Sequence, residues 1–147
     1  MELTLRRATK DDVELLATMN QRLIEDEKSR NPMSVDELKD RMNDFIQEDW
    51  QADLILLDSR VIGYALYQVR SDDYDPHLSD VYIRQYFICR DHRAKGYGKT
   101  AFQLLKDTRF GNQVNFAIDV LATNPSGKHF WNSVGFEEYF TSMKLVR

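Results

Sequence analysis

The chain has one cysteine, Cys89, among 147 residues, so it can close no intrachain disulfide and build no multi-cysteine zinc site. Its three histidines, His77, His92 and His129, show no HExxH or similar ligand spacing, and no metal is expected. Long apolar runs are missing: Leu54–Leu57 is far too short to span a bilayer. No apolar signal core follows the Arg6-Arg7 pair. A basic excess is missing too. Lys plus Arg number 20 against 24 Asp plus Glu, a net charge of -4, which disfavours non-specific nucleic-acid binding. There is no internal repeat, low-complexity segment or linker. What is present, 42% hydrophobic and 30% charged residues, is globular composition. The expectation is one domain over residues 1–147, cytoplasmic, with no membrane or nucleic-acid partner.

Periodicity then gives an order of elements. Leu3–Arg7 reads as a short strand. Thr9, followed by Asp11 and Asp12, opens a helix whose apolar stripe is Val13, Leu16, Met19, Leu23 and Ile24, reaching about Lys28. Asn31-Pro32 breaks it, and Ser34 with Glu37 forms a capping box for a second helix carrying Val35, Leu38, Met42, Phe45 and Ile46. Ala52–Leu57 and Val61–Val69 read as strands joined by a tight turn, and Leu78–Cys89 as a long third one. A helix over Tyr97–Thr108, a strand over Val114–Leu121 and a short helix from Asn124-Pro125 to Gly135 follow. Phe136–Val146 reads as one or two final strands, which could pair between two copies in a homodimer. The order is βααβββαβαβ, an α/β (α+β) arrangement of helices around one mixed sheet.

The most informative segment is Arg93-Ala94-Lys95-Gly96-Tyr97-Gly98-Lys99-Thr100, between a strong strand and a strong helix. Glycines there let the chain turn with successive N–H groups pointing inward, and the helix N-terminus adds partial positive charge. Arg90, Arg93, Lys95 and Lys99 surround it, opposed in sequence only by Asp91. This suits a phosphate or pyrophosphate, and equally an ordinary strand-to-helix turn with solvated basic residues. A Walker loop fits poorly: Gly98-Lys99-Thr100 match its end, but Arg93 stands where its first glycine is needed. Too little chain follows for the parallel units such folds use.

Arg93-Ala94-Lys95-Gly96-Tyr97-Gly98 matches the Q/R-x-x-G-x-G/A loop of the GNAT superfamily of N-acetyltransferases, and Asn124, Gly127, Trp131, Gly135 and Phe136 follow the family's N-x-x-A-x-x-x-Y-x-x-x-G-F segment, with Gly for Ala and Trp for Tyr. The element order agrees, so the chain resembles that family over essentially its whole length. The resemblance implies a mixed, mostly antiparallel sheet flanked by helices. It also implies transfer of an acetyl group from acetyl-CoA to a primary amine by direct attack. The loop amides of Arg93, Ala94, Lys95, Gly96, Tyr97, Gly98 and Lys99 would bind the pyrophosphate of coenzyme A. The strand end Tyr86, Phe87 and Ile88 would pair with the pantetheine arm, as an added strand does. Asn124 would contact that arm, serve as an N-cap, or do both. Trp131 would pack against the acetyl end, but an indole has no useful acidity where many relatives use tyrosine. Tyr82 and Tyr86 are then candidates for the acid.

Strict alternation places Val81, Ile83, Phe87 and Cys89 on one face of the long strand and Tyr82, Arg84 and Tyr86 on the other. Arg84 either anchors an acidic group of the acceptor or pairs with a helix carboxylate, and the second is the more ordinary expectation. Cys89 reads as a buried, inert thiol. Glu25-Asp26-Glu27 would draw a cationic amine, with Glu27 as a candidate acceptor contact, or be a solvated helix end. A non-catalytic acyl-CoA-binding sensor remains the alternative function.

Overall fold

The computed structural model describes residues 2–112 and 114–146. In chain order the elements are β1 (Leu3–Arg7), α1 (Val13–Asp26), α2 (Val35–Gln47), β2 (Trp50–Leu57), β3 (Arg60–Ser71), β4 (Ser79–Ile88), α3 (Tyr97–Arg109), β5 (Val114–Ile118) and α4 (Pro125–Ser133). A single 3-10 turn, Lys10–Asp12, leads into α1. Its capping box is closed by Thr9, whose hydroxyl accepts from the Asp11 N–H while its own N–H donates to Asp12. Ser34 and Glu37 do the same for α2.

The sheet runs β1-β2-β3-β4-β5, antiparallel throughout except for the parallel β4–β5 pair. One face is covered by α1 and α2, with Leu16, Met19 and Met42 packed on Leu54, Tyr64, Leu66 and Phe87. The other is covered by α3, with Phe102 and Leu105 packed on Ala65, Tyr67, Val81 and Ile83. On this second face the wholly buried Asp53 carboxylate accepts from the Tyr67 hydroxyl at 2.6 Å and from the Arg109 guanidinium at 2.6 Å. That pair ties the end of α3 to β2 and β3 and leaves no bare charge in the interior.

Two bulges shape the sheet. Between β2 and β3 the register passes over Ile62, and between β3 and β4 it passes over Arg84. A bulge reverses the alternation beyond it, and this corrects the expected faces of β4. Val81 and Ile83 face α3, but Phe87 and Cys89 pack toward α1 and α2. Tyr86 faces α3, opposite to Tyr82.

Two further expectations change. β5 ends at Ile118 rather than Leu121, and residues 136–146 form no strand. Tyr139, Phe140, Met143 and Leu145 are exposed instead, and β5 remains the edge of the sheet among the described residues.

Gly63 follows the first bulge and faces β4. A Cβ there would stand 2.0 Å from the Phe87 carbonyl oxygen, a backbone atom with little room to yield. Gly63→Ala is therefore expected to cost about 1–3 kcal/mol in a urea titration. An unchanged midpoint would show that β3 and β4 are less closely apposed than described.

Candidate active site

The β4–β5 ladder runs from Ser79 opposite Val114 to Ile83 opposite Ile118, and stops. β4 continues to Ile88, while β5 ends and the chain turns toward α4. The strands therefore part and leave a notch, with Arg84, the bulged residue, at its apex. The Cys89 N–H donates to the Ile62 carbonyl at 2.7 Å, so its main chain faces β3. By alternation the main-chain groups of Tyr86 and Ile88 point the other way, into the notch. Arg93 Nε donates to the Ile88 carbonyl at 2.7 Å, which fits that direction.

Below the notch mouth lies the glycine loop. Ala94 and Gly96 both take left-handed backbone, with φ of 61° and 81°. Gly96 is the N-cap of α3 and no side chain caps the helix. Among the described residues the N–H groups of Ala94, Lys95, Gly96, Gly98 and Lys99 have no acceptor. Such alternation of backbone hand makes a concavity lined with N–H groups, at the positive end of a helix.

The basic side chains are disposed differently from the expectation. Asp91 is not their counter-charge. Arg90 donates to Asp26 at 2.8 Å and to Glu25 at 3.3 Å, and Arg93 pairs with Asp26 as well. These arginines fasten the loop to the end of α1. Lys95 and Lys99 remain exposed beside the loop. Asp26 was legible in sequence only as one member of an acidic run.

The aromatic residues form one group on the α3 side. Tyr86 lies 5.3 Å from Trp131 and 5.9 Å from Phe130, ring centre to ring centre, and Phe102 and Phe136 complete the group. The Tyr86 hydroxyl donates to the Gly98 carbonyl at 2.5 Å, and burial raises its pKa well above the usual phenol value. Tyr82 stands on the opposite face. Its hydroxyl donates to Asp119 at 2.7 Å, and burial, with Asp119 beside it, raises its pKa to about 12. Both candidate acids thus have committed protons. Asn124 caps α4 by accepting from the Gly127 N–H at 3.0 Å. A Cβ at Gly127 would lie 2.3 Å from the Asn124 side chain as it is placed here. The cap uses the Asn124 carboxamide oxygen, and its nitrogen makes no hydrogen bond among the described residues.

On the α1/α2 side, Glu27 follows the last turn of α1. Its carbonyl accepts from the Thr123 hydroxyl at 2.9 Å, across from the segment between β5 and α4, so this helix end sits astride the notch. Glu27 is half-buried, and its pKa is raised by burial and by Asp26. Beneath it the buried Tyr64 hydroxyl donates to Gln85 at 2.8 Å. Arg84 has no carboxylate partner among the described residues: its guanidinium lies 5.1 Å from the centre of the Phe45 ring and 5.7 Å from that of Trp50. The expected pairing with a helix carboxylate is not made. Thr123, Tyr64 and Gln85 were missed in sequence. Each lies on a plain strand or loop with no motif, and only the fold brings it to the notch. Cys89 is half-buried and burial raises its pKa, so its thiol stays protonated. Among the described residues no group of three or more His, Cys, Asp or Glu is placed to hold a metal ion, and no helix is long and apolar enough to cross a membrane.

A mixed sheet whose β4 and β5 separate above an uncapped glycine loop defines an acyltransferase-like fold. The chain belongs to the Acetyltransferase (GNAT) family, which it matches over residues 18–136. None of the curated proteins matches it. Among solved structures it is similar to "a possible acetyltransferase" from Clostridium difficile 630, with a TM-score of 0.81 at 17% identity over 100% of this chain and 98% of that one. It is also similar to the ribosomal-protein-alanine N-acetyltransferase of Brucella melitensis biovar Abortus 2308 (TM-score 0.75, 12% identity, 99% of each chain). An aminoglycoside N-acetyltransferase in complex with CoA gives a TM-score of 0.72 at 18% identity, over 99% of this chain and 95% of that one. At these identities the likeness is one of fold.

Glu27 supplies a test of the site's electrostatics. A carboxyl whose pKa is raised by folding costs no stability below its unfolded value and costs progressively more as pH rises through the folded value. Glu27→Gln should therefore match the parent protein in thermal stability at low pH and exceed it at pH 7. An equal or lower melting temperature at pH 7 would contradict the burial of this carboxylate.

Proposed function

We propose that the protein transfers an acetyl group from acetyl-CoA to a primary amine by direct attack in a ternary complex. The observation that carries this reading is the notch itself, with the main chain of Tyr86 and the Ile88 N–H turned into it on one wall and an uncapped nest of N–H groups at its mouth. These groups fit coenzyme A. The loop amides of Ala94, Lys95, Gly96, Gly98 and Lys99 would take its pyrophosphate, as helix N-termini take anions, while the Arg93 N–H expected to join them donates to the Arg90 carbonyl at 3.3 Å. Lys95 and Lys99 would add charge, and Arg93 acts through its side chain by bracing the loop on Asp26. The β4 edge at Tyr86, Phe87 and Ile88 would pair with the pantetheine amides, and the free Asn124 nitrogen would donate to the same arm. When bound, acetyl-CoA supplies an acetyl group activated as a thioester.

The rest of the chemistry falls to this chain's residues. Glu27, already inclined to hold a proton, takes one from the acceptor ammonium and frees its lone pair. The Ile88 N–H, facing the notch while its carbonyl is held by Arg93, meets the negative charge that grows on the thioester oxygen. Trp131 and Phe130 exclude water from the acetyl end. The Tyr86 hydroxyl would have to release Gly98 to protonate the leaving sulfur, and would regain a proton from the acetylated nitrogen. A homodimer belongs to the same proposal: the open edge of β5 and the exposed apolar side chains of residues 139–146 suit pairing between copies. A non-catalytic acyl-CoA sensor has one observation in its favour, the commitment of the Tyr82 and Tyr86 hydroxyls to Asp119 and Gly98.

Acetyl-CoA should raise the melting temperature, with about 2.7 kcal/mol of stabilisation at a hundredfold excess over Kd. No shift at saturation would remove the cofactor assignment. Thiol release with a panel of amines should follow, and Glu27→Gln should lower kcat about a hundredfold or more while leaving the acetyl-CoA shift in place. A shift without turnover of any amine would favour the sensor.

A further inference from the structure

The chain is acidic, and Arg6, Arg90, Arg93 and Arg109 all pair with its carboxylates, Asp26 serving both Arg90 and Arg93. Arg41 and Arg84 have none within 4 Å among the described residues, although Asp40 and Asp44 stand on the same helix as Arg41. Both guanidinium groups lie over the same Phe45 ring, at 5.6 Å and 5.1 Å from its centre. Arg41 donates once, to the carboxamide oxygen of the buried Asn20 at 3.0 Å, and its Nε is buried with no acceptor at all. Burial and the neighbouring Arg84 both lower the Arg41 pKa. A third guanidinium, that of Arg70, lies 4.7 Å from the Tyr82 ring and 5.9 Å from Trp50, and its Nε is taken by Gln68. Asp119 is the carboxylate that touches this aromatic group, and it is occupied by the Tyr82 hydroxyl.

Two like charges on one ring repel, and a buried donor without an acceptor is costly. An anion lying between the two guanidinium groups would relieve the repulsion. The position makes that anion part of the acceptor. Arg84 is the bulged residue at the apex of the notch, on the α1/α2 side. Glu27 borders the same side, and the buried Tyr64 hydroxyl, held by Gln85, feels the charges of both Glu27 and Arg41.

Resting on the acetyl-transfer reading above, we propose that the acceptor is a primary amine that also bears a carboxylate, with Arg41 and Arg84 holding the carboxylate against Phe45 and Trp50 while the amine reaches Glu27. Guanidinium groups match a carboxylate in shape and charge, and the ring platforms keep them oriented while unoccupied. Arg70 extends the same positive wall outward.

The test is acetylation of amine pairs that differ only in the anion: the twenty α-amino acids and a series of ω-amino acids, each against its carboxamide, with phosphoethanolamine as a separate arm. At least one free acid should exceed its amide by about tenfold or more in kcat/KM, the worth of one charged hydrogen bond. Arg84→Met should bring that preference below about threefold, through KM for the acid, and Arg84→Lys should retain part of it. Arg84 is exposed, so the fold should tolerate the change, and Arg41→Gln provides a second variant read by the same ratio. Amides turned over as well as acids, a preference untouched by Arg84→Met, or phosphoethanolamine outrunning every carboxylate would overturn the inference. So would a full acetyl-CoA melting shift with no turnover of either class. Absence of that shift would instead overturn the function on which the inference rests.

Discussion

The parting of β4 from β5 is the constraint on which the site depends. Parallel pairing holds the two strands together only as far as Ile83 and Ile118. Beyond that point each β4 peptide that turns away from β3 has lost its partner. An edge of this kind is a cost to an isolated domain and an opportunity for a ligand that can supply the missing hydrogen bonds. The bulge at Arg84 falls at the same place. It reverses the alternation of β4, so that Tyr86 turns toward α3 and the aromatic group while Phe87 turns into the core beneath α1. A regular strand would have put Tyr86 on the face that Tyr82 occupies.

Around that opening the rest of the fold serves to hold three chain segments in register. The end of α1 is joined to the glycine loop by Asp26 with Arg90 and Arg93, and to the approach to α4 by Thr123. Asp26 is therefore engaged in fastening the glycine loop through Arg90 and Arg93, and Glu27, next to it, is left with the raised pKa. Charges that look alike in a run of three acids have separate tasks once the helix end is placed. The buried Asp53, Tyr67 and Arg109 fix the other end of α3, so the helix that carries the loop is held at both ends.

Much of this was legible in the sequence. The capping pairs Thr9 with Asp12 and Ser34 with Glu37, the strand and helix periods, and the two family segments are local signals, and local signals are carried by neighbouring residues. The failures have a common cause. The bulge at Arg84 adds one residue without leaving a mark in composition, so the faces of β4 were assigned wrongly past it. Asp26 and Thr123 reach the notch from separate parts of the chain, and their roles exist only in three dimensions. The stretch from Phe136 onward is rich in apolar and aromatic residues, but they fall at 136, 139, 140, 143, 145 and 146 without strict alternation, and residues 136–146 pair with no strand among the described residues. Trp131 was expected against the acetyl end of the cofactor; in the structure it packs among Tyr86, Phe102, Phe130 and Phe136.

The central claim is that the unpaired edge of β4 and the loop before α3 together receive coenzyme A. Amide hydrogen exchange resolved to single residues tests it most directly. Added acetyl-CoA should slow exchange at Tyr86 or Ile88 and at the loop amides of residues 94–99, while amides in β1 and β2 stay as they were. Protection confined to another surface, or loop protection with Tyr86 and Ile88 unchanged, would contradict the account.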